Sequence, residues 1–141
     1  MKRIIRHIAP ILTVVIFASF FLSGCGIQFD SLASDPVADE YLEDMLDAIR
    51  ENDVDTAYDM FADGYVDYDE MEKSMDTLSQ LWTYDDYEYK LINKEVKTNM
   101  SFAGSVTYYG RKYKVTVDDD TFTVTLTYIK DEGLAGFHID F

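Results

Sequence analysis

The chain of 141 residues is poor in the residues that usually mark chemistry. It holds one cysteine, one tryptophan, two prolines and two histidines. A single cysteine excludes an intrachain disulfide, so an exported form has to be held together by its core. One thiol and two histidines are too few for a zinc-type site. There is no glycine-rich phosphate loop, no nucleophile elbow and no Cys-His pair, which argues strongly against those enzyme classes and weakly against enzymes in general. Internal repeats and low-complexity tracts are absent too. Basic residues are scarce, 12 against 27 acidic ones.

The basic residues that exist are unevenly placed. "MKRIIRH" carries Lys2, Arg3 and Arg6 and no acid, and the 15 residues "IAPILTVVIFASFFL" that follow carry no charge. A basic start, an apolar run of about 7–15 residues and small residues at its end have the form of a secretory signal peptide. A transmembrane anchor needs about 18 apolar residues or more. Reading on through Ile27 and Phe29 approaches that length, but Gly24, Gly26 and Gln28 interrupt the run and Asp30 ends it.

The run closes on Leu22-Ser23-Gly24-Cys25. This tetrapeptide resembles the lipobox of bacterial lipoproteins. The resemblance implies that the thiol of Cys25 receives a diacylglycerol, that a dedicated peptidase cuts before it, and that Cys25 becomes the new N-terminus. The chain then divides into a signal peptide (1–24), a lipidated tether (25–34) and one domain (35–141). Two or more acyl chains hold a protein stably on a membrane where one does not. The expected location is the extracytoplasmic face of a bacterial membrane, with an uncleaved anchor or an ordinary signal peptide as alternatives.

Without the first 24 residues, nine basic and 27 acidic residues remain, a formal charge of −18. Such a surface lacks the basic footprint that nucleic acid requires, and it is repelled by an anionic bilayer. Acidity of this degree keeps a tethered domain soluble and standing off the lipid. A cationic partner or calcium is the functional alternative. The tether is short, about 20 Å or less on average.

The domain reads as helices followed by strands. Asp35 and Pro36 open a helix in which Val37, Tyr41, Leu42, Met45, Leu46 and Ile49 recur at helical spacing. Asp53 caps a second, short helix with Ala57, Tyr58 and Phe61 on its apolar side and Gly64 as its stop. Asp67 and Glu70, at capping-box spacing, begin a third, lined by Met71, Met75, Leu78 and Leu81 or Trp82. From residue 85 the period becomes two. The strand signals are "DYEYKLINKEVKTN", "SFAGSVTYYG" ending at Gly110, "KYKVTV" and "FTVTLTYI" about the turn "DDDT", and "LAGFHIDF". Three N-terminal helices and a mainly antiparallel sheet of four to five strands make an α+β domain, with the sheet curved around the first helix.

This order resembles the nuclear transport factor two-like (cystatin-like) superfamily. "YLEDMLDAIRENDVDTAYDMFADG" looks like the opening of small bacterial lipoproteins of that superfamily, and "EGLAGFHIDF" is similar to their closing strand. The resemblance implies a cone of sheet closed by helices. Some members are isomerases, dehydratases or cyclases that work inside the cone; others are interaction modules.

Four features are candidates for chemistry. His138 and Asp140 share a strand face. If Phe137 and Ile139 point inward the pair faces solvent, and in the reverse register it enters the cone as a His–carboxylate couple. "TYDDYEY" (83–89) is an aromatic–acidic cluster suited to a sugar or a cation, or else amphipathic tyrosines covering a sheet edge. "DDD" (118–120) and "DYDE" (67–70) lack calcium-loop spacing and read as a hairpin turn and a helix cap. No catalytic residue, metal or cofactor is assigned. The expected role is a non-catalytic binding or interaction module, with a protein partner or a second copy meeting it through the sheet. The alternative is a small-molecule-binding or isomerase/dehydratase-like enzyme with a pocket inside the cone.

Overall fold

The computed structural model describes residues 33–141 in full and, of the first 32, only the backbone of Thr13–Ile16. The lipobox residues Leu22, Ser23, Gly24 and Cys25, most of the tether and the rest of the signal segment lie outside the described residues. Thr13–Ile16 forms a short strand, β1.

Helix α1 spans Pro36–Glu51. The Asp35 side chain accepts from the backbone N–H of Ala38 at 3.2 Å, satisfying one of the donors a helix start leaves open. At the other end Asn52 adopts a left-handed φ of 53° and its N–H closes back on Ala48 and Ile49. The buried stripe is Ala38, Leu42, Met45, Leu46 and Ile49. Val37, expected inside, is half exposed at 50%, because the inward positions step back from Leu42 by four and fall on Ala38.

Helix α2 covers Val54–Asp59, capped by Asp53, which accepts from Thr56. It ends before Gly64. From Met60 the chain runs along the end of the sheet: Leu134 donates to the Met60 carbonyl and accepts from the Ala62 N–H, both at 2.8 Å. Helix α3 covers Tyr68–Leu81 and begins where Asp67 accepts from the N–H groups of Asp69 and Glu70.

The strands are β2 (Glu88–Ser101), β3 (Gly104–Val117), β4 (Asp120–Ile129) and β5 (Gly133–Asp140). They form an antiparallel sheet in the order β1-β5-β4-β3-β2. Four strands thus come from the described domain, and β1 adds to the edge of β5, pairing Thr13 with Asp140 and Ile16 with Phe137. The architecture is α+β, three helices and an open antiparallel sheet. The break expected at Gly110 does not occur: Gly110 pairs with Glu95 on one side and Thr127 on the other, so β3 runs on through it. The turn falls instead at 101–104, within the stretch read as one strand.

One apolar cluster joins both layers. Leu42, Met45, Leu46 and Ile49 from α1 and Met71, Met75 and Leu78 from α3 meet Tyr113, Val115, Val124, Leu126, Phe137 and Ile139. Trp82, Tyr113 and Phe137 are the largest of its fully buried side chains. A smaller cluster of Ala62, Tyr108, Ile129 and Ala135 lies on the opposite face of the sheet; there the Tyr65 and Tyr108 hydroxyls meet at 2.7 Å.

Candidate functional site

The described residues carry two unusual features, and they adjoin. One is a buried charged hub on β3; the other is the β-ribbon that leaves it.

Alternation along β3 puts Arg111 on the face of Tyr109, Tyr113 and Val115, toward the helices. Its side chain is 8% exposed and its partner Asp35 10%. Nε of Arg111 donates to Oδ2 of Asp35 at 2.7 Å, and Nη1 donates to the carbonyls of Gly110 at 2.8 Å and Glu95 at 3.1 Å. Tyr128 donates its hydroxyl to the same Asp35 oxygen at 2.8 Å. The rings of Tyr109 and Tyr128 stack 5.2 Å apart, and the guanidinium carbon lies 5.7 and 5.8 Å from their centroids. A buried charge is tolerable only when paired and hydrogen-bonded in this way. Burial pushes the Asp35 carboxyl up, but the hydrogen bonds from Tyr128, Arg111 and Ala38 and the charge of Arg111 outweigh it and hold the group below its ordinary value.

Asp35 begins a series. Asp39 and Glu43 follow at intervals of four on the same side of α1. Tyr113 of β3 donates to Asp39 at 2.7 Å, and Tyr89 of β2 donates to Glu43. Three acids one turn apart thus meet tyrosines from three adjacent strands, β4, β3 and β2. Burial and these carboxylates push the Tyr113 and Tyr128 hydroxyls well above their usual range; for Tyr89 the hydrogen bond to Glu43 is the main cause and burial the second. Nothing in this arrangement aims a free acid or base at a cavity. It pins the start of α1 to the middle of the sheet.

Beyond Lys97 and Tyr108 β2 and β3 have no third strand. Pairing of β3 with β4 ends at Tyr108–Ile129, whereas β2 and β3 stay paired as far as Ser101–Gly104. A two-stranded ribbon of 98–107 therefore projects past the sheet. Gly104 holds a φ of 127°, a conformation that favours glycine, and Ser101 donates to its carbonyl. At the tip Met100 is 86% exposed and Phe102 fully so. Val106 is also exposed. At the ribbon's root, Asn93, Glu95, Gly110, Arg111, Lys112 and Thr125 line a depression of about 230 Å³.

The other sequence candidates fall elsewhere. His138 and Asp140 do meet, Nε2 to Oδ1 at 2.7 Å, but at 25% and 50% side-chain exposure. Phe137 and Ile139, each 1% exposed, hold the inward face of β5. The pair therefore lies on the face away from the main core. In 83–89 the tyrosines pack inward: Tyr84 and Tyr87 lie edge-on to Trp82 at 5.2 and 5.4 Å, and Tyr89 does so to Tyr113 at 5.7 Å. Asp118 takes a left-handed φ of 51° in the β3–β4 turn, and Asp67 is the cap of α3. Among the described residues no group of three or more His, Cys, Asp or Glu is placed to hold a metal ion.

Sequence reasoning passed over Arg111. The available signal was its position: an arginine on the inward-facing parity of "YYGRKYKV", two residues from Tyr109 and two from Tyr113. No family model matches the chain, and no curated protein or solved structure matches it.

Proposed function

We propose that the protein is a lipid-anchored, extracytoplasmic bacterial lipoprotein whose domain is a non-catalytic interaction module. The observation that carries the anchoring is the sequence Leu22-Ser23-Gly24-Cys25 at the end of a basic-then-apolar N-terminus. Among the described residues no helix is long and apolar enough to cross a membrane; the anchor proposed is the lipid on Cys25. The helix-and-sheet order supports assigning the domain to the nuclear transport factor two-like class.

The interaction role is supported by what is exposed and what is filled. The core space that a cone-type enzyme needs is occupied by Trp82, Tyr113 and Phe137, and His138 and Asp140 face away from it. Met100 and Phe102 at the ribbon tip are the most exposed large apolar side chains among the described residues. A second contact surface is the outer edge of β5. Cleavage before Cys25 removes Thr13–Ile16, leaving Phe137–Asp140 open to pairing with a second copy or a partner strand.

Metabolic labelling with an alkyne fatty acid in a bacterial host tests the anchor. Label on the wild-type chain, its loss in Cys25→Ser and retention of the unprocessed precursor are expected. Label that survives Cys25→Ser, or none on the wild type, overturns it.

A further inference from the structure

The tip of the β2–β3 ribbon exposes apolar side chains on an uncharged stretch, 98–107, and the body of the hairpin behind it carries an excess of positive charge on an otherwise acidic protein. Residues 35–81 carry 16 acids against Arg50 and Lys73, whereas β2 and β3 carry Lys90, Lys94, Lys97, Arg111, Lys112 and Lys114 against only Glu88 and Glu95. Six of the nine basic residues beyond the signal segment therefore lie in this one hairpin. Net charge argues that the domain as a whole is repelled by anionic lipid; its distribution singles out one element that is not.

Reach decides the matter. Asp35, bonded to Arg111, fixes the start of the domain at the ribbon's root, where Lys94 pairs with Arg111. From Cys25 to Asp35 the tether averages about 17–19 Å and extends to at most about 35 Å. From Lys94 to Phe102 the hairpin rises about 27 Å. On average the tether is therefore shorter than the span from the Arg111 level of the hairpin to its tip. A pendant apolar tip at that distance meets lipid before it meets anything else.

We infer that the ribbon tip, Met100 to Ala103, inserts into the interface of the membrane that holds the anchor, with Lys97, the basic residue nearest to it on β2, behind it on the headgroup side. A side chain such as Phe102, with no neighbour to cover it, gains by entering the headgroup boundary, and Lys97 behind the tip adds long-range attraction to anionic lipid. The hairpin then acts as a second foot, orienting the domain so that its acidic helical layer points away from the bilayer. This inference rests on the lipid-anchor reading.

The test uses the full chain expressed in a lipoprotein-processing bacterium, extracted in detergent and reconstituted into phosphatidylglycerol–phosphatidylcholine vesicles. Ala103→Cys carries an environment-sensitive fluorophore at the tip; Glu72→Cys, on the exposed side of α3, carries it as the control. One dye per chain shows that the Cys25 thiol is blocked, and flotation with the vesicles reports the anchor separately. The expected result is a blue shift at 103 and loss of emission with headgroup-nitroxide lipid, no change at 72, and loss of the effect in Met100→Ser with Phe102→Ser. A floating protein whose label at 103 stays in water overturns the inference and leaves the anchor standing. So does shielding at 103 that needs other envelope proteins, which identifies a protein partner instead. Equal shielding at 103 and 72 overturns it as well, since the domain then lies on the surface without a preferred foot. A chain that takes two dyes and does not float overturns both readings.

Discussion

Arg111 and Asp35 are 76 positions apart and bonded at 2.7 Å, Nε to Oδ2, with both side chains almost fully buried. The contact joins the cap of the first helix to the centre of the third strand. Removing one member strands the other as an unpaired buried charge, which costs far more than the pair contributes.

Arg111→Met is therefore expected to destabilise the domain by about 3 kcal/mol or more in urea unfolding. Asp35→Asn, which keeps a capping side chain, strands the guanidinium and falls in the same range. The double variant Asp35→Asn/Arg111→Met recovers a substantial part of the loss, because neither charge remains. Single variants within about 0.5 kcal/mol of wild type, the level of an ordinary surface site, contradict the hub.

Acid gives the same pair a signature in pH. The Asp35 carboxyl is held below its ordinary value in the fold. Its stabilisation is thus complete above the unfolded-state value of about 3.9, and is lost as the pH falls through that value toward the folded one. Wild type should lose more stability between pH 5 and pH 3 than Asp35→Asn does, measured by denaturant titration at each pH. Equal losses count against it.

Tyrosine titration tests the acid–tyrosine series from the other end. Burial and neighbouring acids raise Tyr87 to about 12, and Tyr89, Tyr113 and Tyr128 are raised as well. For groups whose folded value is raised, the stabilisation is full below the unfolded value of about 10 and is lost as the pH rises beyond it. Absorbance at 295 nm should show these four tyrosines ionising only together with unfolding above about pH 11. Their ionisation near pH 10 with native circular dichroism contradicts the series.

Gly133 marks a backbone approach that admits no side chain. Its φ is 132°, and an added Cβ lies 2.7 Å from the Met60 carbonyl oxygen and 2.8 Å from the Ala62 nitrogen. Gly133→Ala is expected to cost at least about 2 kcal/mol and to free the 60–62 segment from β5. Faster hydrogen exchange at Ala62 and Leu134 would show it. Unchanged protection there contradicts the packing described.

Local chemistry was legible in the sequence, whereas relations between distant positions were not. The caps Asp35, Asp53 and Asp67 are read correctly because capping depends on residues within one turn. The inward faces of β4 and β5 follow from strict alternation. Gly110 misled because glycine punctuates most strands but here sits mid-ladder between two neighbours. Asp35 reads locally only as a cap, and nothing within one turn gives Asp39 or Glu43 a partner. Only the sheet shows that each meets a tyrosine, and the register that aligns them is a property of three strands at once. The exposed tip was hidden for a related reason: Met100 and Phe102 look like core residues until the turn is placed at 101–104.

The anchor reading is tested most directly by the intact mass of the chain isolated from bacterial membranes. The account predicts an N-terminus at Cys25 bearing a diacylglyceryl group, with residues 1–24 gone. A mass that retains the first 24 residues, or one that begins at Cys25 with a free thiol, contradicts it.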